Sequence, residues 1–294
     1  MGYQCATNVN IGTEKVGIAL SHGALGGHLG VAFSDEDGKQ HLMHLGWHER
    51  LFIQPYPPDP NAWVASVVDL RPFSAMQALA LIRAMADKYS VGFIDEGIHY
   101  GINLIAGANA IKQDGTYSPV EGNDGYTCAS IVAAMFSGVG LPLVNLPTWE
   151  NSEANKIWGR AILCMLRATV PAAHVAAVEK NNTGLRLRPE EVAAASEVPQ
   201  ASRPVVQAII EKRADEIMGE MRAVCGAPTA PQEGSSIKPC VDTYHNELAD
   251  HAKAAATKTA VNSDPLEATE GASASTQASM AKLEAPSTGE GDGA

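Results

Sequence analysis

The sequence lacks the patterns that mark membrane, secreted or nucleotide-binding proteins. It has no run of about 18 apolar residues, which a membrane-spanning helix needs. Residues 1–15 have no basic start followed by an apolar run, so no secretory signal is predicted. No glycine-rich phosphate-binding motif occurs. We expect a cytoplasmic protein without stable membrane insertion, and delivery out of the cell by a signal-independent route stays open.

Basic residues are also scarce. Lysine and arginine number 21 against 33 aspartates and glutamates, which gives a net charge of −12. This balance disfavours an extended contact with nucleic acid. The charge is uneven, because residues 226–294 hold four lysines, no arginine and ten acidic residues.

Cysteines are few and irregularly spaced, at positions 5, 128, 164, 225 and 240. No CxxC pair is present, which argues against a zinc knuckle and against a disulfide framework. We expect free thiols in a reducing compartment, with a Cys225–Cys240 disulfide as the alternative for an exported chain.

The order of apolar patterns predicts an α+β domain over residues 1–225, with a small antiparallel sheet packed on helices. Residues 14–53 are typical of β-strands, and a polar Asp/Gly turn at 34–38 predicts a hairpin. Helices are predicted at 75–88 with Ser74 as cap, and at 128–136, 151–168, 189–196 and 203–224. Large apolar residues nearly vanish after Cys225, so residues 226–294 are predicted to be a disordered acidic tail, with a transient helix at 248–261.

Cys128 stands where a polar, glycine-containing turn enters a helix. The N–H groups and partial positive charge of a helix N-terminus favour thiolate over thiol, so the pattern predicts a lowered pKa. The same N–H groups can receive an oxyanion. A small buried core cysteine is the plain alternative.

His28 follows Gly26 and Gly27 at the start of a predicted strand. A histidine there could reach a thiolate on a helix packed across the sheet and act as base and then acid. The next strand supplies a third polar group that could fix the tautomer of its ring. Alternation places His44 on one face and His41 on the other, and it does not say which face meets His28.

These segments together resemble a known family. His28-Leu-Gly-Val-Ala-Phe33, a polar turn, Leu42-Met-His-Leu45 and, much later, Tyr126-Thr-Cys-Ala-Ser-Ile-Val132 are similar to the circularly permuted branch of the NlpC-type papain-like superfamily, which includes lecithin–retinol acyltransferase relatives. The resemblance implies a papain-like fold with Cys128 as nucleophile, His28 as base and His44 as orienting residue. The long gap that contains the 75–88 helix departs from the family pattern.

A metal site is the main alternative interpretation of the histidines. The spacing of His41, His44 and His48 suits metal ligation only on a helix, whereas a strand sends His41 to the opposite side. We therefore expect no metal and no cofactor. Asp95, Glu96, His99 and Tyr100 could line a cleft, although loop polarity explains them as well.

Three functions are compatible with these residues. The first is a thiol-dependent hydrolase that cleaves an amide bond in a peptide, an isopeptide or a cell-wall peptide. The second is an acyltransferase with the same nucleophile. The third is a delivered toxin or effector, or a non-catalytic papain-like interaction module. No amphipathic membrane anchor is evident, so we rank hydrolysis first; the oligomeric state is not predicted.

Overall fold

One antiparallel sheet organises the protein. The computed structural model describes residues 2–57, 62–89, 97–102, 111–118, 124–226 and 235–262, with side chains described to 258. Within them the sheet has the strand order β1-β6-β2-β3-β4-β5. The strands are β1 Gln4–Cys5, β2 Gly17–Gly23, β3 Gly26–Ser34, β4 Gln40–Trp47, β5 Arg50–Pro55 and β6 Trp63–Val67. The predicted hairpin is therefore confirmed as β3–β4.

The described helices are α1 Pro72–Tyr89, α2 Cys128–Gly138, α3 Glu153–Arg167, α4 Ala172–Lys180, α5 Pro189–Glu197, α6 Gln207–Cys225 and α7 Lys238–Asn262. The α+β class is thus confirmed. Ser74 is not a cap, because α1 begins at Pro72 and the Ser74 hydroxyl instead accepts a hydrogen bond from Gln200. Helix α4 was not predicted from the sequence.

Alternation along the strands separates two apolar layers. Leu29, Val31 and Phe33 of β3 point into the main core, where they pack with the helices, including α2. On the opposite face Ala32 and Leu42 belong to a smaller cluster that also contains Trp63. Because cross-strand partners share a face, the face of any strand residue follows from this register.

The predicted start of the C-terminal tail, at residue 226, is wrong. The compact unit runs to Ala252, and α7 contains the helix predicted at 248–261 but begins earlier, at Lys238. A disulfide joins Cys164 of α3 to Cys240 of α7, so neither five free thiols nor the Cys225–Cys240 pair is found. Val241 is buried beside it, and this tertiary attachment compensates for the low apolar content of the helix. Residues 263–294 lie outside the described part.

None of the helices in the described residues is both long enough and apolar enough to cross a bilayer.

The attachment of α7 predicts a redox-dependent change in its protection. The disulfide closes a loop with a sequence separation of 76, and a loop of that size is worth on the order of 4 kcal/mol when α7 would otherwise detach. We expect the amides of residues 241–252 to exchange with deuterium at least tenfold faster after reduction or in Cys164→Ser. Helix α5 serves as the control because it is buried in the core, and its exchange should not change. Equal exchange in α7 before and after reduction would contradict this attachment.

Candidate active site

Cys128 is the first residue of α2, and a reciprocal cap fixes that start. The Thr127 hydroxyl accepts the N–H of Ser130 at 3.0 Å, and the Ser130 hydroxyl accepts the N–H of Thr127 at 2.8 Å. Such a capping box satisfies two N–H groups that a helix start would leave free. The N–H of Cys128 itself has no hydrogen-bond acceptor among the described residues.

The chain entering α2 is held by residues 99–101. Tyr126 forms a parallel bridge with Tyr100. Its N–H donates to the His99 carbonyl at 2.9 Å, and its carbonyl accepts the N–H of Gly101 at 3.1 Å. Gly125 has a φ of 124°, and a Cβ there would collide with the His99 carbonyl. Glycine at this position therefore permits the close approach that positions Cys128.

The thiol lies beside the place where two strands part. Pairing of β3 with β4 runs from Ser34↔Gln40 to Val31↔Met43 and goes no further. Beyond that end, the backbone N–H of Leu29 favours the thiolate form of Cys128. The thiol therefore lies near the part of β3 that is not paired with β4.

The parting of the strands opens a cavity of about 150 Å³. Cys128 and His28 both line it, together with Trp47 of β4 and Arg186. Cys128 is only 6% exposed. Cys128 and His28, both predicted site residues, therefore line one cavity.

The His28 ring makes its contacts on the other side of the sheet. His28 pairs with Ser21, which pairs in turn with Trp63, so the three side chains share the face of the smaller apolar cluster. Nε2 of His28 lies 2.8 Å from Nδ1 of His44. No hydrogen bond joins Cys128 to either ring in the described part of the chain.

Gln54 extends the histidine pair. Its side-chain nitrogen is 3.4 Å from Nε2 of His44, and its partner across β4 is Leu42, so it lies on the same face. Gly30 makes room for this arrangement, because a Cβ there would lie 2.9 Å from Cβ of His44. In the row Gln54–His44–His28, the tautomer of one ring determines that of the next. When His28 donates from Nε2 to Nδ1 of His44, His44 carries its own proton on Nε2, and the Gln54 side chain must accept that N–H.

Burial sets the protonation of the two rings. It lowers the pKa of His28 to about 3, with a further contribution from His44, and it lowers the pKa of His44 to about 4. Both are therefore neutral at pH 7. A neutral His28 has one ring nitrogen without a proton, as a general base requires.

The sequence-based expectation of a lowered pKa at Cys128 is wrong in this state. Burial raises the pKa of its thiol, and the Glu190 carboxylate acts in the same direction. The N–H groups of Leu29 and Ala129 and the Arg186 guanidinium favour the thiolate, but they do not offset the loss of solvent. The helix N-terminus alone is therefore insufficient, because the thiol is enclosed as well.

His41 lies away from these groups. It occupies the face of Phe33, and its Nε2 is 2.8 Å from an Asp35 carboxylate oxygen. That contact lowers the pKa of Asp35. The structure therefore brings His44, and not His41, to His28.

A second histidine cluster, formed by His48, His99 and His174, lies next to Tyr100. Nε2 atoms of His48 and His99 lie 3.6 and 3.7 Å from one Glu49 oxygen, close enough for these three residues to hold a metal ion. The ring centroids of His174 and His48 lie 4.2 Å apart, with the rings tilted by 50°. However, Nδ1 of His48 accepts the Tyr100 N–H at 3.2 Å, so the neutral ring carries its proton on Nε2, where a metal would bind. His41, His44 and His48, the set considered as an alternative metal site, are not brought together among the described residues. Asp95 and Glu96 lie outside the described residues.

Gln54 and Arg186 were not predicted from the sequence. Gln54 was detectable only as a polar residue on an apolar strand, and Arg186 carried no local signal because it comes from the segment between α4 and α5.

Comparison with protein-family models, with curated proteins and with solved structures finds no match to this chain.

Enclosure of the thiol predicts the pH dependence of its reactivity. Because burial raises the pKa of Cys128, the rate of iodoacetamide modification at Cys128 should have its midpoint above the free-thiol value of about 8.5. Mass mapping of Cys128 labelling against pH measures this. Arg186→Gln should move the midpoint higher, since it removes a cation that favours the thiolate. A wild-type midpoint below about 7 would contradict the raised pKa.

The histidine pair predicts a loss of stability in acid. Since the pKa values of His28 and His44 are lowered in the folded state, the unfolded chain binds more protons as the pH falls below about 6.5. The free energy of unfolding should decrease from pH 6.5 towards 4, by up to about 1.4 kcal/mol per histidine each time the pH falls by one. Urea titrations should show a shallower decrease for His44→Gln. The exposed His245→Gln serves as control, and an identical decrease in His44→Gln and wild type would contradict this.

Proposed function

We propose that this chain is a thiol-dependent hydrolase of amide bonds, with Cys128 as nucleophile, His28 as base and His44 as orienting residue. The observation that carries the proposal is that Cys128 and His28 line one cavity while the His28 ring is held by His44 at 2.8 Å. The resemblance to permuted papain-like proteins assigns the same roles. The substrate class is a peptide, an isopeptide or a cell-wall peptide.

The resting thiol keeps its proton in this proposal. Its raised pKa and the neutral His28 correspond to an uncharged pair, as burial of both groups favours. Proton transfer is coupled to attack on the substrate. This mechanism requires the free nitrogen of His28 to reach the thiol when substrate binds, since no hydrogen bond joins them among the described residues of this state.

The reaction then balances in two stages. The sulfur bonds to the amide carbonyl carbon as its proton passes to His28, and the C–N bond breaks when His28 returns that proton to the leaving amine. Water, deprotonated by His28, next attacks the thioester and releases a carboxylic acid and the thiol. The N–H of Cys128, at the start of α2, is available to the oxyanion in both stages.

His44 acts on the tautomer of His28, and Gln54 acts on His44. For His28 to accept a proton at Nδ1, its Nε2 must donate to Nδ1 of His44. His44 then needs an acceptor at Nε2, which the Gln54 amide supplies when its oxygen faces the ring. Both are positioning residues, because neither lines the cavity of Cys128.

The central test compares single variants with an electrophilic acyl probe and a panel of peptidyl amides. Cys128→Ala should abolish labelling and turnover, whereas Cys225→Ala, which removes another free cysteine, should not. His44→Ala should slow both at least tenfold, about 1.4 kcal/mol of transition-state stabilisation. His41→Ala should leave them within a factor of about two, since its partner is Asp35.

Thermal unfolding of each variant separates a lost site from a lost fold. Activity that survives Cys128→Ala in a folded protein would disprove the nucleophile. If His41→Ala folds and slows labelling while His44→Ala does not, then His44 is not the orienting residue. A folded wild type that labels at Cys128 but turns over no amide while transferring acyl groups to an amine or alcohol would favour the acyltransferase.

A further inference from the structure

Arg186 stands at the junction of two cavities. It lines the cavity of Cys128 and also an outer cleft of about 540 Å³, and the two meet at Leu25, Gly26 and Arg186. Its guanidinium lies 3.9 Å from the ring centre of Trp158. An arginine packed over an aromatic ring suits recognition of a planar anion, because its guanidinium presents its N–H groups in one plane.

The N–H donors of Arg186 are not used within the described part of the protein. No hydrogen bond or ion pair joins Arg186 to a described residue. Arg188, on the same cleft, differs: it forms ion pairs with Glu191 at 3.0 Å and with Glu190 and Asp215 at 3.5 Å. Of the two arginines that line the cleft, Arg186 is therefore the one available to a ligand.

The position of Arg186 relates it to the reacting sulfur. Its charge favours the thiolate of Cys128, so the two groups are within electrostatic reach. The outer cleft is also lined by four carboxylates, those of Glu150, Glu190, Glu191 and Glu211. They disfavour an anionic group in the outer cleft, so a ligand carboxylate is expected at Arg186, next to the cavity of Cys128.

We propose that Arg186 binds a free carboxylate of the substrate, close to the bond that Cys128 attacks. The substrate class is therefore a carboxylate-bearing amide, such as a peptide with a free carboxyl group within a residue or two of the scissile bond. This inference rests on the proposed function in treating the ligand as a substrate, but carboxylate binding at Arg186 can be measured without any turnover.

The test is the ratio of alkylation rates of Cys128 by iodoacetate and iodoacetamide. Both reagents react with the same thiolate, so a change in the pKa of Cys128 cancels in the ratio, whereas an attraction for the carboxylate does not. We expect Arg186→Gln to lower the ratio at least tenfold. Arg186→Lys, which keeps the charge and loses the planar fork, should fall between. Arg167→Gln is the matched control, because Arg167 is exposed, pairs with Glu179 and lines neither cavity.

A change of less than threefold in Arg186→Gln would overturn the proposal. So would protection of Cys128 by inorganic phosphate at lower concentration than by acetate, since that order indicates a phosphate site. If neither reagent labels Cys128, titration calorimetry with N-acetylglycine and N-acetylglycinamide replaces the ratio, and equal or absent binding overturns the proposal. If the ratio depends on Arg186 but the Cys128→Ala variant still turns over an amide, the carboxylate site is upheld and the proposed function is rejected.

Discussion

The end of the β3–β4 ladder at Val31 and Met43 is the constraint on which the candidate site depends. A strand whose N–H groups lose their partners must find other acceptors, because an unpaired buried N–H costs as much as a lost hydrogen bond. Here the Leu29 N–H lies close enough to the Cys128 thiol to favour its thiolate form. The cavity that Cys128 and His28 line lies beside the same part of β3.

Enclosure determines the electrostatics of the site. It keeps both rings of the His28–His44 pair neutral by lowering their pKa values, and it keeps the thiol protonated by raising its pKa. These shifts share one cause, the loss of solvent around any charged form. In a thiol hydrolase with these pKa shifts, Cys128 and His28 would not form a thiolate–imidazolium ion pair before substrate binds. Among the groups that act on the thiol, the Arg186 guanidinium is a positive charge that favours the thiolate.

Much of the sheet could be predicted because its signals are local. The Asp/Gly turn at 34–38 fixes the β3–β4 hairpin, and alternation correctly places His41 and His44 on opposite faces. The face that meets His28 depends on register, which follows from how the β-strands pair and not from either strand alone. Helix α7 shows the opposite case, because the disulfide that attaches it joins Cys240 to Cys164, 76 positions earlier in the sequence.

The sequence by itself determined the α+β class, the hairpin, the helix that begins at Cys128 and the order of histidines before cysteine. Tertiary structure alone decided that His44 contacts His28, that the Cys128 thiol is enclosed, and that Arg186 and Gln54 join the site. The physical reason is range. Turn chemistry and side-chain periodicity act over a few residues, whereas burial, and with it the pKa of Cys128, is set by segments that meet only when the chain is folded.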